Sequence, residues 1–216
     1  MPRLGFFGFP NCESSIEGSV FEELIEKAKQ GRRDALEALL VPHLPSLSAF
    51  ARLRLSGRLA RRESAADIVQ SVCGDVIAGI GGVRAKDEEG FRSWLFSILY
   101  TKLRNKERFH GAAKRDVGKE LIGSLAEASR DESILDAYAC TATPSRDVAT
   151  AEAVARIEAA FQSLPEHYRD ALLHVAIGGL SYADTARVLG RSEDSVRQLV
   201  FRARARLATL LDVPDP

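Results

Sequence analysis

The sequence predicts an all-α fold of two small helical domains joined by an acidic linker, and three observations lead there. Apolar residues recur at spacings of three and four and nowhere alternate strictly for long, so helices account for the pattern and strands are not needed. Periodicity lapses between residues 111 and 150, where Ser, Thr, Ala and acids gather around Pro144. The charges segregate with it. The 30 Lys and Arg balance the 30 Asp and Glu, yet eight acids face three bases from Asp116 to Glu152 while arginines crowd both flanks. A chain of 216 residues with 45% hydrophobic content has enough apolar surface for two real cores.

The front domain covers residues 19–110, after an extension at residues 1–18. Its first amphipathic stretch, about Ser19 to Leu40, carries Val20, Phe21, Leu24, Ile25 and Ala28 on one stripe and breaks near Gly31. The second, about Leu44 to Leu59, mixes Leu47, Phe50, Leu53 and Leu55 with a basic run, Arg52, Arg54, Arg58, Arg61 and Arg62, that contains no acid. Taken alone, that run reads as a solvated face. The third repeats Ile68, Val72, Val76 and Ile80 at spacing four, flanked by Val69, Cys73 and Ile77, and stops at Gly81-Gly82. Asp67, Gln70, Ser71 and Asp75 lie off this stripe, a polar face suited to a partner helix rather than a second core. The fourth, about Glu89 to His110, turns Phe91, Trp94, Leu95, Ile98, Leu99 and Leu103 inward. These four stretches make one bundle.

The fourth helix also joins Lys102, Arg104, Lys106, Arg108 and Asn105 to the aromatic Tyr100, Phe109 and Trp94. Single-stranded DNA needs such a mixture, because backbone charge and exposed base faces both require partners. Trp94 shares the apolar stripe with Phe91 and Ile98, which reads it as core that positions its neighbours; Tyr100 is the better stacking candidate.

The linker has room for at most a short helix near Leu121 to Leu125. The rear domain, residues 151–211, resumes the period with Val154, Ile157, Phe161 and Leu164; Pro165 then opens a helix carrying Ala171, Leu172, Val175 and Ile177, closed by Gly178-Gly179. Ser181-Tyr182-Ala183-Asp184 has the S-x-x-D form of a capping box, so a short helix follows, with Ala183, Ala186 and Leu189 as its inner face and Gly190 as its left-handed end. Ser192 caps the next helix, and Glu193 and Asp194 suit the positive end of its dipole. In that helix Val196, Leu199, Val200, Ala203 and Leu207 face the core. Ser195, Arg197, Gln198, Arg202 and Arg204 point outward, able to meet base edges and phosphates in a major groove. A plain helical hairpin with a solvated arginine face is the blander alternative.

Several function classes are disfavoured. Cys12, Cys73 and Cys140 are odd in number and form no CxxC pair, which argues against a disulfide framework or a zinc site and fits the cytoplasm. No apolar run suits a signal peptide or a membrane span, so membrane insertion is not expected. The four histidines, 43, 110, 167 and 174, are scattered, and no HExxH, Walker-type loop or GxSxG motif occurs; neither catalysis, a metal nor a cofactor is expected.

Two stretches carry a family resemblance. Leu164-Pro165-Glu166-His167-Tyr168-Arg169, Gly179-Leu180-Ser181-Tyr182-Ala183-Asp184 and Phe201-Arg202-Ala203-Arg204-Ala205-Arg206-Leu207 resemble region 4 of extracytoplasmic-function (ECF) sigma factors, in that family's order and spacing. Asp67-Ile68-Val69-Gln70-Ser71-Val72 is similar to the D-[LI]-V-Q-[ED]-[TV] stretch of its region 2, and Phe91-Arg92-Ser93-Trp94-Leu95-Phe96-Ser97-Ile98 to its F-R-x-W-L-x-x-I stretch. The resemblance implies a factor that directs core RNA polymerase to promoters and catalyses nothing itself. The front domain would be a region 2 four-helix bundle docking on the β′ clamp helices through Asp67, Ile68, Gln70, Ser71 and Asp75. It would read and melt the minus-10 element with Trp94, Tyr100, Thr101, Lys102, Arg104, Asn105 and Arg108. The rear domain would be a region 4 helix-turn-helix, next to the β flap, reading the minus-35 element through Ser192, Ser195, Arg197, Gln198, Phe201, Arg202 and Arg204. The basic run would lie near polymerase and promoter, and the acidic linker would thread the nucleic-acid channel of the polymerase. An anti-sigma factor is a further partner that the resemblance leaves open. Three positions depart from the family pattern: Ser71 replaces a usual acid, Thr101 stands near a usual asparagine, and Leu199 occupies a place where many members have arginine. The rival reading is a stand-alone helix-turn-helix regulator that never docks on polymerase; it leaves the polar face at Asp67 to Asp75 without a purpose.

Overall fold

A computed structural model of the chain describes residues 18–55, 57–110, 135, 138 and 148–212. The N-terminal extension and the expected helix at Leu121 to Leu125 lie outside the described residues. Among the described residues every regular element is helical. In order these are α1 Gly18–Lys29, α2 Arg33–Leu40, α3 Leu44–Arg54, α4 Gly57–Ala60, α5 Ala65–Gly79 and α6 Glu88–His110, then α7 Val148–Gln162, α8 Glu166–Leu172, α9 Tyr182–Leu189 and α10 Glu193–Asp212.

Local chemistry explains the boundaries. Gly31 ends the first helical stretch because the chain there adopts a positive φ of 82°, which costs a side chain with a Cβ about 1–2 kcal/mol. The start of α5 is a capping box: Asp67 N–H donates to Ser64 Oγ at 3.1 Å while Ser64 N–H donates to the Asp67 carboxylate at 3.3 Å. Tight 3₁₀ turns at Val41–His43 and Ile80–Gly82 connect α2 to α3 and close α5. Beyond α8 the helix widens into a π turn over Leu173–Ile177, where Gly178 N–H reaches back to the Leu173 carbonyl at 2.9 Å.

The front core is the expected stripe set, with Phe21, Ile25, Leu47, Phe50, Ile68, Val72, Val76, Phe91, Leu95 and Leu99 buried. Two members of those stripes instead face outward: Val20 is 46% and Ile77 54% exposed. Each lies at the margin of its helix's apolar arc, where neighbouring residues fill the interior first. The rear core gathers Phe161, Leu164, Leu172, Val196, Val200, Ala203 and Leu207. On α9 the inward residues are Asp184, Thr185 and Ala186 rather than Ala183, which is exposed, or Leu189, which is half-buried. The front and rear groups touch along a seam where α3 and α6 meet α7, α8 and the π turn, so that the buried residues form one continuous cluster. Among the described residues no helix is long and apolar enough to cross a membrane.

Candidate nucleic-acid interface

The rear helix-turn-helix is built from its caps upward. Asp184 N–H donates to Ser181 Oγ at 3.1 Å, starting α9, and Gly190 ends it in a left-handed conformation at φ 65° and ψ 41°. Arg191 N–H closes the turn on the Ala186 carbonyl at 3.0 Å, and Ser192 Oγ accepts from Ser195 N–H at 3.3 Å to start α10. Two helices therefore meet across a glycine turn, with Val196, Leu199, Val200, Ala203 and Leu207 of α10 buried beneath. Ser192, Arg197, Gln198, Phe201 and Arg202 are exposed on its far side, with Ser195 and Arg204 half-buried beside them. The Arg197 guanidinium donates to Glu193 at 2.5 Å and lies 5.0 Å over the Tyr182 ring, which raises it further above its already high range and holds it against the start of the helix. Leu199 is only 7% exposed and packs inward, so its departure from the family pattern does not alter the exposed side of the helix.

The front site lies between α5 and α6. An open groove of about 840 Å³ is lined by Asp75, Gly79, Gly82, Trp94, Ser97, Ile98, Thr101, Lys102, Asn105, Lys106 and Phe109. Trp94 is half-buried, its ring 5.7 Å from Phe91, so its inner edge is core and its outer edge forms the groove wall. Thr101, Arg104, Asn105 and Arg108 are exposed. Lys102 reaches across to α5, pairing with Asp75 at 2.6 Å and donating to Ser71 Oγ at 2.5 Å, while Lys106 pairs with Glu63 at 2.5 Å. Ser71 thus serves as an anchor for Lys102, a role that the sequence does not suggest.

Of the residues expected to face polymerase, Asp67, Gln70, Ser71 and Asp75 form an exposed polar strip on α5, whereas Ile68 is fully buried. Ile68 supports the strip from within, since its place in the spacing-four repeat points it at the core. Asp67 is committed to the capping box, and the Ser64 hydrogen bonds hold its carboxyl below the usual carboxylate range.

Tyr100 departs most from expectation. It is 5% exposed, its hydroxyl donates to the Asp170 carboxylate at 2.8 Å, and its ring meets His174 edge-on at 4.8 Å. It belongs to the seam and offers no open face for stacking. Arg54 also leaves the basic run for the interior, 1% exposed among carboxylates. Burial works against its charge, yet Asp170, Glu107 and Glu166 together hold the guanidinium above its ordinary range. Burial pushes Glu107 up, and burial with neighbouring Arg54 lowers Arg169. Among the described residues no group of His, Cys, Asp and Glu is arranged to hold a metal ion.

Comparison with known proteins agrees with this geometry. Residues 155–207 match the family described as Sigma-70, region 4, a segment that contains α9, the Gly190 turn and α10 as far as Leu207. The chain is 32% identical over 189 residues to the ECF RNA polymerase sigma factor SigM of Mycobacterium tuberculosis, covering 88% of this chain and 83% of SigM. It is 34% identical over 125 residues to the RNA polymerase sigma factor CnrH of Cupriavidus metallidurans, an alignment that spans 56% of this chain and 61% of CnrH. Among solved structures, the sigma factor RpoE in complex with the anti-sigma factor NepR from Bartonella quintana is similar at a TM-score of 0.57 and 25% identity, covering 85% of this chain and 99% of that one.

Proposed function

We build on one premise, that the chain belongs to the ECF family of RNA polymerase sigma factors, and propose from it how its surfaces divide the work of starting transcription. A sigma factor binds core polymerase and brings it to promoter DNA; what needs assigning is which residues do each part. Residues 19–110 act as region 2, residues 111–150 as the linker and residues 151–211 as region 4. The exposed strip of Asp67, Gln70, Ser71 and Asp75 docks on the β′ clamp helices, with Ile68 behind it.

The groove between α5 and α6 takes the melted strand of the minus-10 element. Arg104 and Arg108 supply phosphate contacts, Asn105 and Thr101 line the floor, and the outer edge of Trp94 offers an aromatic wall. Lys102 and Lys106 contribute positive charge while tying α6 to α5 and to Glu63. The outer side of α10 enters the major groove at the minus-35 element, where Arg197, Gln198 and Arg202 meet bases or phosphates and Ser192 and Ser195 contact the backbone near the helix start. Phe201 and Arg204 complete that side, and the β flap is the polymerase surface next to it. No catalytic step is assigned to the chain, and its place of action is the cytoplasm, where polymerase and chromosome are. An anti-sigma factor is a fitting regulator, given that RpoE was solved bound to one.

The observation that carries the reading is the capped helix, left-handed Gly190 and most of the second helix within the segment matched to region 4, with an outer face that is polar apart from Phe201. Titrating the full chain onto purified core polymerase tests it: a stoichiometric complex that retains promoter fragments is expected. A chain that binds DNA but never enters that complex would be a stand-alone regulator.

A further inference from the structure

The groove between α5 and α6 leaves apolar side chains in water. Trp94 and Ile98 are half-buried along one wall, and Phe109, at the far end of α6, is 85% exposed. Glycine keeps the facing side bare. Gly79 and Gly82 line it from the end of α5 and the turn that follows, and a Cβ built at Gly79 would already touch the Trp94 ring at 3.6 Å. From Trp94 to Phe109 the groove follows roughly 22 Å of helix at ~1.5 Å per residue. Among its lining residues Lys102 and Lys106 face one acid, Asp75, so the groove suits an occupant that is apolar and carries negative charge.

The start of α1 lies next to this groove. Phe21, in the first turn of α1, meets Phe91 edge-on at 5.9 Å, and Phe91 in turn lies 5.7 Å from Trp94. α1 also packs against the Ile80–Gly82 turn, which contributes Gly82 to the groove. The chain that precedes α1 therefore departs within two ring contacts of the groove wall. That chain, residues 1–17, holds Leu4, Phe6, Phe7 and Phe9, and between Phe9 and α1 come Glu13 and Glu17 with no base. Its aromatic rings match the apolar wall, and its acids match the lysines. The nine residues from Phe9 to Glu17, extended at ~3.3 Å each, reach roughly 30 Å, longer than the groove. Tethering selects this occupant over a separate one: so short a linker gives the segment an effective concentration on the order of mM.

We propose that residues 1–17 act as an arm that folds back over the α5–α6 groove of the same chain, its phenylalanines against Trp94, Ile98 and Phe109, and that this arm is displaced before a single strand of nucleic acid enters. The use of the groove by a nucleic-acid strand rests on the sigma reading. The docking of the arm rests on the groove, the path from Trp94 to α1 and the composition of the segment.

Trp94 is the only tryptophan of the protein, so its fluorescence reports the groove directly. In the full chain, Phe6→Ser, Phe7→Ser and Phe9→Ser together should shift the Trp94 emission to longer wavelength and increase its quenching by acrylamide, with helical content unchanged by circular dichroism. Phe109→Ser, on the groove side, should give the same shift, and adding it to the triple variant should change little more. A synthetic peptide of residues 1–17, added to the triple variant, should reverse the shift. A short single-stranded oligonucleotide of mixed sequence should bind the triple variant about 10-fold more tightly than the wild type, because no fraction of the grooves is then occupied by the arm. Equal emission and quenching in the wild type and the triple variant would overturn the arm. So would protection of Trp94 that grows with protein concentration, the mark of a second copy. If the arm protects Trp94 as stated but the oligonucleotide binds both proteins equally, the arm stands and the assignment of the groove to the melted strand falls.

Discussion

Replacing Gly190 by alanine isolates the cost of the turn between α9 and α10. At φ 65° an added Cβ finds no heavy atom within 4 Å, so nothing collides and the penalty is purely conformational. A non-glycine residue in the left-handed region costs about 1–2 kcal/mol, and alanine's smaller unfolded-state entropy returns about 0.4–1 kcal/mol, leaving a net loss near 1 kcal/mol. For a chain of this size that lowers the melting temperature by roughly 2–4 °C. Gly31→Ala faces the same open space at φ 82° and should cost about as much, so it is the matched control in the front bundle. Gly190→Asn should recover most of the loss, because asparagine tolerates the left-handed region. Thermal denaturation of the three variants, paired with anisotropy titration of a promoter fragment bearing the minus-35 element, separates stability from function. Gly190→Ala should weaken promoter binding while Gly31→Ala does not, since only the first strains the turn that sets α10 against α9. A Gly190→Ala protein as stable as the wild type would refute the argument from the left-handed turn.

On the outer side of α10, Arg197→Ala and Arg202→Ala should each weaken promoter binding about 5- to 100-fold if the side chain reads a base, or lower the salt slope by about 0.9 if it meets a phosphate; a titration series across salt concentrations distinguishes the two. Gln70→Ala should reduce affinity for core polymerase in a holoenzyme titration with no loss of helix, whereas Asp67→Ala should also lower stability because it removes a capping partner. Acid should loosen the protein. Burial and the nearby Arg92 push His43 down to about 4, and burial lowers His174, so both are held neutral when folded and take up a proton near 6.5 when exposed. The folded state is then favoured in full above that value and loses the contribution as the pH falls below it, by up to about 3 kcal/mol for His43 near pH 4. Chemical denaturation from pH 7.5 to 4.5 should show the decline, and His43→Leu should flatten it.

What the sequence made legible is what local chemistry decides. The serine caps at positions 181 and 192, the glycine breaks and the α5 stripe each depend on residues within a turn or two, and each is found where the pattern puts it. The seam was hidden because its partners are far apart in the chain: Arg54 meets Glu166 across 112 residues. A run of arginines without a nearby acid looks solvated until a distant helix brings the acids. One signal was present, since Leu47, Phe50 and Arg54 follow the three-then-four spacing of an inward face and Phe96, Tyr100 and Leu103 its four-then-three counterpart. Taking position rather than residue type as the guide places both Arg54 and Tyr100 inside.

The most direct test is transcription by sigma-free core polymerase, supplied with the purified chain and a broad library of upstream sequences. The account predicts initiation at a subset of templates sharing two separate sequence blocks upstream of the start site. Start-site selection no different from that of core polymerase alone would contradict it.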